Sequence, residues 1–181
     1  GGGATPATFA VGTSGAWSVS ATGTSLIYAA SGTQTTGAEW VANFQNLTVN
    51  NTIVTGVSEA GEPSGLTIGS FASVSLDPPL VGFLPTLKSR SWADIATSGS
   101  FCVNILGADQ GELCWKFAKE TEGRYDGLDW RKAPSGSPIL PGVISWIDCS
   151  IEQLITMGDH WFVLGRVQAL HNEGDVTDAM T

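Results

Sequence analysis

A chain of 181 residues fits one domain more readily than two. It is 42% hydrophobic and only 14% charged, against roughly 25% charged in an average soluble protein, which excludes a disordered polyampholyte: such chains lack the apolar surface to offset chain entropy. Eight Lys and Arg face 17 Asp and Glu, a net charge of −9. That balance argues against a nucleic-acid partner, whose affinity comes largely from cations meeting phosphates.

No apolar run approaches the roughly 20 residues of a membrane helix, and the first residues carry no Lys or Arg, so neither a membrane span nor a secretory leader is expected. The expectation is a cytoplasmic protein, part of whose charge-poor surface is covered by another subunit. Cys102, Cys114 and Cys149 form no CxxC pair, and with two histidines, His160 and His171, they suggest no metal site. Cys102 and Cys149 sit in apolar runs, where a thiol behaves as a small hydrophobe.

Residues 1–38 hold 29 Gly, Ser, Thr or Ala and no charge before Glu39. This atypical segment, 1–51, reads either as β-rich or as a loose tail. Its sequons at Asn46 and Asn50 are short patterns that arise by chance. From Thr52 the pattern firms. Ile53–Val57 is a β-branched run closed by the turn cluster 58–63, and Leu66–Phe71 resumes as its hairpin partner. Ser73, Ser75 and Asp77 alternate with Val74 and Leu76, the period of a half-buried strand, which Pro78-Pro79 ends.

Leu80–Leu84 and Phe101–Leu106 are continuous apolar runs of central-strand length. Val143, Ser145, Ile147, Cys149 and Ile151 line one face of a long strand, and Trp161–Val167 forms another. Two helices interrupt them. Ser91 is placed to cap 92–98, with Asp94 three residues on and Gly99 at the stop. Asp109 is placed to cap a helix bearing Leu113 and Phe117, with Glu112 early and Lys116 and Lys119 late, as the helix dipole favours. Many short strands with two helices point to a small β-barrel.

Three segments carry chemistry. Pro85-Thr86-Leu87-Lys88-Ser89-Arg90-Ser91 gathers three hydroxyls and two cations at a helix start, a setting for an anion or for a merely well-capped helix. Gly65–Phe71 places two glycines and small hydroxyls on a strand, which either lets a flat ligand approach the backbone or marks a bulge. Gly158-Asp159-His160 sets a histidine at a strand entry, where a lone His is usually structural. Asp159 adjoins it, but neighbouring side chains on an extended chain diverge, which speaks against a triad. GxSxG, GxxxxGK[ST], HExxH and GxGxxG are all missing from the sequence, so any nicotinamide use would proceed without a dinucleotide fold.

In order along the chain, the segments resemble the flavin reductase-like family, the reductase components of two-component flavin monooxygenases. The match runs from Gly65-Leu66-Thr67-Ile68-Gly69-Ser70-Phe71-Ala72-Ser73-Val74-Ser75-Leu76-Asp77-Pro78-Pro79-Leu80 through Pro85-Thr86, Ser89-Arg90-Ser91-Trp92 and Phe101–Leu106. It continues through Tyr125–Trp130, Gly136-Ser137-Pro138 and Gly158-Asp159-His160 to Gly165-Arg166-Val167, covering roughly 53–170.

The resemblance implies a mainly β, Greek-key split barrel of the FMN-binding type with two or three short helices, spanning 52–181 and working as a homodimer. The activity it implies is hydride transfer from NADH or NADPH to FMN, or to FAD, with the reduced flavin released to a flavin-dependent monooxygenase component. A flavin-binding protein without turnover and a structural subunit are the alternatives. By position, Leu66, Thr67, Ile68, Gly69 and Ser70 would run beside the flavin ring, with Ser73 at its ribityl or phosphate portion. Pro85, Thr86, Ser89 and Arg90 match the phosphate turn, and His160 matches the histidine on the nicotinamide side. The family's leading amphipathic helix and its closing aromatic-Arg-Gly strand have no counterpart in residues 1–51 or at Ala179-Met180-Thr181.

Overall fold

The computed structural model describes residues 52–172 in full, together with the backbone of four short strands before them: β1 (Ser18–Val19), β2 (Leu26–Ile27), β3 (Gly32–Thr35) and β4 (Thr48–Val49). The asparagines of both sequons lie outside the described residues, as does most of segment 1–51. Two of the short strands join the main sheet, β3 beside Ala169–Asn172 and β4 beside Phe71–Ala72.

The hairpin read from the sequence is β5 (Thr52–Val57) with β6 (Pro63–Ile68), paired from Thr52↔Ile68 to Val57↔Pro63. The expected continuous strand to Phe71 does not form. β6 stops at Ile68, Gly69-Ser70 bends, and β7 (Phe71–Leu76) starts a new strand. Pro78 lies in the turn after β7, yet Pro79 opens β8 (Pro79–Phe83), the one strand position where a missing N–H costs nothing. Val74, expected inside, is 47% exposed, because the register slips between Ser73 and Ser75 and rotates the side chain outward.

Helix α1 covers Arg90–Ala96 and is capped by Ser89, whose Oγ accepts from the Trp92 N–H at 3.2 Å, so the expected cap at Ser91 falls inside the first turn. Gly99, at φ +73°, follows as foreseen. After β9 (Ser100–Ile105) comes α2 (Gly111–Lys119), whose N-cap is Gln110 rather than Asp109. The Gln110 side chain accepts from Gly107 N–H and donates to the Pro141 carbonyl, stitching the helix entry to a distant loop. Glu112 and Lys116 with Lys119 do occupy the first and last turns.

Strands β10 (Arg131–Lys132) and β11 (Pro138–Ile139) form a small ladder. β12 (Ser145–Met157) and β13 (His160–Asn172) form a long hairpin. Val143 precedes β12 and packs with Trp146 in the cluster on the other face from Ile147 and Cys149.

The main sheet is antiparallel throughout, in the order β4-β7-β8-β13-β12-β9-β5-β6, with β3 beside the far half of β13. β6 and β7 lie near opposite ends of that order yet are joined by two residues, whose three peptide steps reach roughly 11 Å at most. The sheet must therefore curl until its ends approach.

Phe71, Phe83, Trp92, Phe101, Ile147 and Val163 fill the concave side. Phe83 meets Trp92 and Phe101 edge-on at 5.3 and 5.2 Å. Cys102, Phe117, Ile139, Leu140 and Trp146 form a second cluster on the outer face, under α2 and the β10–β11 ladder. Burial on both faces explains why β9 reads as an unbroken apolar run. All three cysteines are buried and free. Among the described residues no helix is long and apolar enough to cross a membrane.

Candidate functional site

The bend at Gly69-Ser70 and the segment after β8 face each other. Ser70 Oγ accepts from Leu84 N–H at 3.0 Å, tying the bend to the end of β8. From there the chain is pinned to the turn of the long hairpin: Trp161 N–H donates to the Pro85 carbonyl at 2.9 Å and Leu87 N–H to the Asp159 carbonyl at 3.0 Å. Between these bonds Thr86 and His160 form an antiparallel bridge. Segments some 75 residues apart in sequence are thereby brought together, Pro85-Thr86 against Asp159-His160.

The result is a cleft of about 380 Å³ lined by Leu66, Thr67, Ile68, Gly69, Ser70, Leu84, Pro85, Thr86 and Ser89. Eight of these nine were named from the sequence, and Leu84 was not. Ser73 lies further along β7, paired with Val81, and does not line the cleft. Arg90 lines an adjoining cleft of about 360 Å³ that shares Leu66, Thr67 and Ser89 as walls. His160 lines neither cleft; its backbone bridges Thr86, a wall of the first.

The two glycines of this stretch differ. A Cβ on Gly65 would come within 2.7 Å of the Phe117 ring, so this glycine admits α2 against β6. A Cβ on Gly69 would meet no atom within 4 Å. Packing does not require Gly69 to be bare; a side chain there would project into the open cleft.

The hydroxyls around the cleft are only partly engaged. Thr67 donates to the Cys114 carbonyl at 2.8 Å, which leaves its oxygen able to accept. Ser70 and Ser89 each accept one backbone N–H and keep a hydroxyl proton to donate. An open bare-backbone patch, apolar walls at Leu66 and Ile68, and donors at the edges fit a planar heteroaromatic ring with polar margins. The hydroxyls and Arg90 at Ser89 fit an attached phosphate.

Asp159 and His160 do not diverge as an extended chain would dictate. Gly158, at φ +64°, turns the hairpin tightly enough that His160 Nδ1 lies 2.7 Å from Asp159 Oδ1. The hydrogen bond and the charge of the imidazole hold the Asp159 carboxyl below its ordinary range. The pair is solvent-facing, so it orients the ring without burying charge.

Sequence reasoning missed Arg124. Its Nη1 reaches the Gly65 carbonyl and Ser91 Oγ, and its Nε reaches the Glu120 carbonyl, clasping the 120–126 loop to β6 and to the first turn of α1. Tyr125 OH donates to the Ser64 carbonyl at 2.8 Å, and burial pushes its phenol well up. The only local signal was Arg124 standing one residue before the recognised Tyr125-Asp126-Gly127 motif. Its partners lie 33 and 59 residues away.

The sequence profile of the flavin reductase like domain matches residues 44–180. A flavin reductase of Pseudomonas putida is 45% identical over 122 residues, covering 67% of this chain and 72% of that protein. The reductase subunit of a flavin-dependent monooxygenase from Rhodococcus jostii is 48% identical over 119 residues, 66% of this chain and 60% of that subunit.

Among solved structures, nitrilotriacetate monooxygenase component B from Mycobacterium thermoresistibile superimposes with a TM-score of 0.66 at 44% identity, over 70% of each chain. An NADH:FAD oxidoreductase from Streptomyces globisporus, solved with NAD and FAD fragments, gives 0.64 at 32% identity, over 68% of this chain and 74% of that one.

Proposed function

The chain belongs to the flavin reductase-like domain family, and from that premise we propose that it is an NAD(P)H:flavin oxidoreductase that hands reduced flavin to a partner monooxygenase. The observation that carries this reading is the cleft at Gly69. Residues from β6, the Gly69-Ser70 bend and the β8–α1 segment converge on it, the backbone stands bare, and the hydroxyls keep unused capacity.

In this reading a bound flavin supplies the hydride-accepting ring and the nicotinamide supplies the hydride. The protein then needs little acid–base chemistry of its own; its task is to hold two flat rings in contact and keep water from between them. Leu66, Ile68 and Pro85 form apolar walls. Backbone and hydroxyl donors at Gly69, Ser70 and Thr86 face the ring margin, where negative charge develops on reduction. Ser89 and Arg90 hold the phosphate. His160, steadied by Asp159 and bridged to Thr86, meets the nicotinamide.

The sheet's near-closure within residues 52–172 supports a split barrel as the core of the 52–181 domain. Leu154, Ile155 and Met157, on the arm of the β12–β13 hairpin, are 38%, 37% and 53% exposed. An apolar arm of this kind fits burial against a second copy, as a homodimer requires. Three free buried thiols suit the reducing cytoplasm.

The test is flavin-dependent oxidation of NADH or NADPH by the purified chain, followed as loss of nicotinamide absorbance. Turnover with added FMN or FAD is the expected result. Flavin binding without turnover with either nicotinamide would overturn the reductase reading.

A further inference from the structure

Arg124 stands where three walls of the second cleft meet. Those walls are Leu66 and Thr67 from β6, residues 88–91 at the start of α1, and Phe117 and Ala118 near the end of α2. One guanidinium bonds to all three elements. Nη1 donates to the Gly65 carbonyl on β6 and, at 2.5 Å, to Ser91 Oγ in the first turn of α1. Nε donates to the carbonyl of Glu120, the C-cap of α2.

The strand it holds is the last in the sheet order, so one edge of β6 is unpaired. The 120–126 loop covers the first half of that edge: Tyr125 OH donates to the Ser64 carbonyl at 2.8 Å beside Arg124 on Gly65. A Cβ on Gly65 would stand 3.0 Å from the Tyr125 hydroxyl, so the loop lies close against bare backbone there. The other half, Leu66–Ile68, lines the flavin cleft. Trp92 and Ile95, both buried, fix the body of α1 in the core. Its first turn is tied to β6 by polar bonds instead: Arg124 on Ser91 Oγ, and Ser64 Oγ donating to the Ser91 carbonyl at 3.3 Å. Ser91 follows Arg90 directly, so whatever moves Ser91 moves Arg90.

We propose that Arg124 is a positioning residue for the reductase: by joining β6, α1 and the end of α2 it holds Ser89 and Arg90 at the distance from Leu66 and Thr67 that one flavin spans, without itself meeting the phosphate. The proposal rests on the flavin reading of the first cleft and on the phosphate at Ser89 and Arg90. A turn set in place before the ligand arrives spares binding the cost of ordering it. The rigid guanidinium fork reaches acceptors in diverging directions, which the single ammonium of a lysine does not.

The experiment is a fluorescence titration of the purified chain with FMN and with riboflavin, which share a ring and differ by the phosphate. The ratio of the two affinities reads the phosphate end alone, and a general loss of stability would not move it. Arg124→Ala is expected to weaken FMN about tenfold and riboflavin less than about twofold. Ser91→Ala, a change that a helix favours, is expected to weaken FMN about threefold by cutting only the α1 arm of the clasp. The double variant should bind FMN no more weakly than Arg124→Ala, because both changes break one connection. Arg124→Lys should recover only part of the loss.

Equal losses for FMN and riboflavin would overturn the proposal and leave Arg124 a support of the fold. Additive losses in the double variant would mean that each side chain meets the phosphate on its own, and full recovery with lysine would mean that charge alone acts; either result overturns it too. Should circular dichroism show Arg124→Ala unfolded, Ser91→Ala decides, and an unchanged ratio there overturns the proposal. A wild-type chain that binds neither compound would overturn the flavin reading itself, and the proposal with it.

Discussion

Two polar regions sit on the same curled sheet, and they differ in how completely they are bonded. Under the β10–β11 ladder, Asn104 is fully buried on β9. Its Nδ2 donates to Thr55 Oγ1 at 2.9 Å and to neighbouring carbonyls, and its Oδ1 accepts from Leu140 N–H at 2.8 Å. Thr55 in turn donates to the Pro138 carbonyl. Every member has its partners inside the protein, and the network seals the 131–141 segment to the sheet. At the Gly69 cleft, Thr67, Ser70 and Ser89 each spend one bond on the fold and keep the rest of their capacity toward open space. Closed polar networks specify structure; half-used ones are where a ligand can add bonds without breaking any.

Removing Asn104 is the largest way to break that contrast. Asn104→Ala leaves the buried Leu140 N–H without its acceptor and Thr55 Oγ1 without the donor it accepts from, which should cost about 3 kcal/mol of stability, read as a drop in the denaturant midpoint at unchanged slope. Flavin affinity of the folded fraction should stay the same. A loss of affinity without a loss of stability would show that the two regions are not separate.

Gly69→Ala runs the contrast the other way. The added methyl meets no protein atom within 4 Å, and Gly69 is not at a positive φ, so stability should hold or rise by a few tenths of a kcal/mol. Flavin affinity should fall about tenfold, because the methyl stands where a ring would lie against the backbone. Unchanged affinity would remove Gly69 from the binding surface. His160→Ala is smaller still: we expect about a fivefold rise in the nicotinamide KM, with flavin affinity intact. A loss confined to flavin affinity would place His160 on the other side of the ring.

Much of this was legible in the chain. β5, β8, β9 and β13 announce themselves as β-branched or apolar runs between turn residues, and the cleft residues came from two short motifs whose convergence the sheet order supplies. What was not legible has a physical pattern. The break at Gly69-Ser70 has no local signal, since glycine and serine also occur in strands. Ser89 and Ser91 both stand before a helix, and only the bond to Trp92 N–H decides between them. Val74 points outward because of a register slip set by its partner strand. Arg124 acts through partners far away in sequence, and Asp159 meets His160 only because the turn at Gly158 overrides the geometry of an extended chain.

The smallest effect tests how tightly the closed region is sealed. Asp148, 1% exposed on β12, accepts from Ser135 N–H at 2.8 Å and from Ser135 Oγ. Burial raises its carboxyl above the ordinary range, a shift the Ser135 bonds only partly offset. The folded chain therefore keeps the Asp148 proton to a higher pH than the unfolded chain does. Between the two pKa values unfolding releases a proton, so this group's contribution falls as pH rises through that window and is fully present below it. Asp148→Asn keeps the shape, lets the amide oxygen accept from the N–H and the amide nitrogen donate to the hydroxyl, and cannot titrate. The difference between wild type and variant should therefore favour the wild type most below the carboxyl range of the unfolded chain and shrink as pH rises toward neutrality, all other carboxyls cancelling in the subtraction. A difference that is flat with pH, or that grows on the alkaline side, would mean that water reaches Asp148 and that the region beneath the ladder is less closed than its hydrogen bonds indicate.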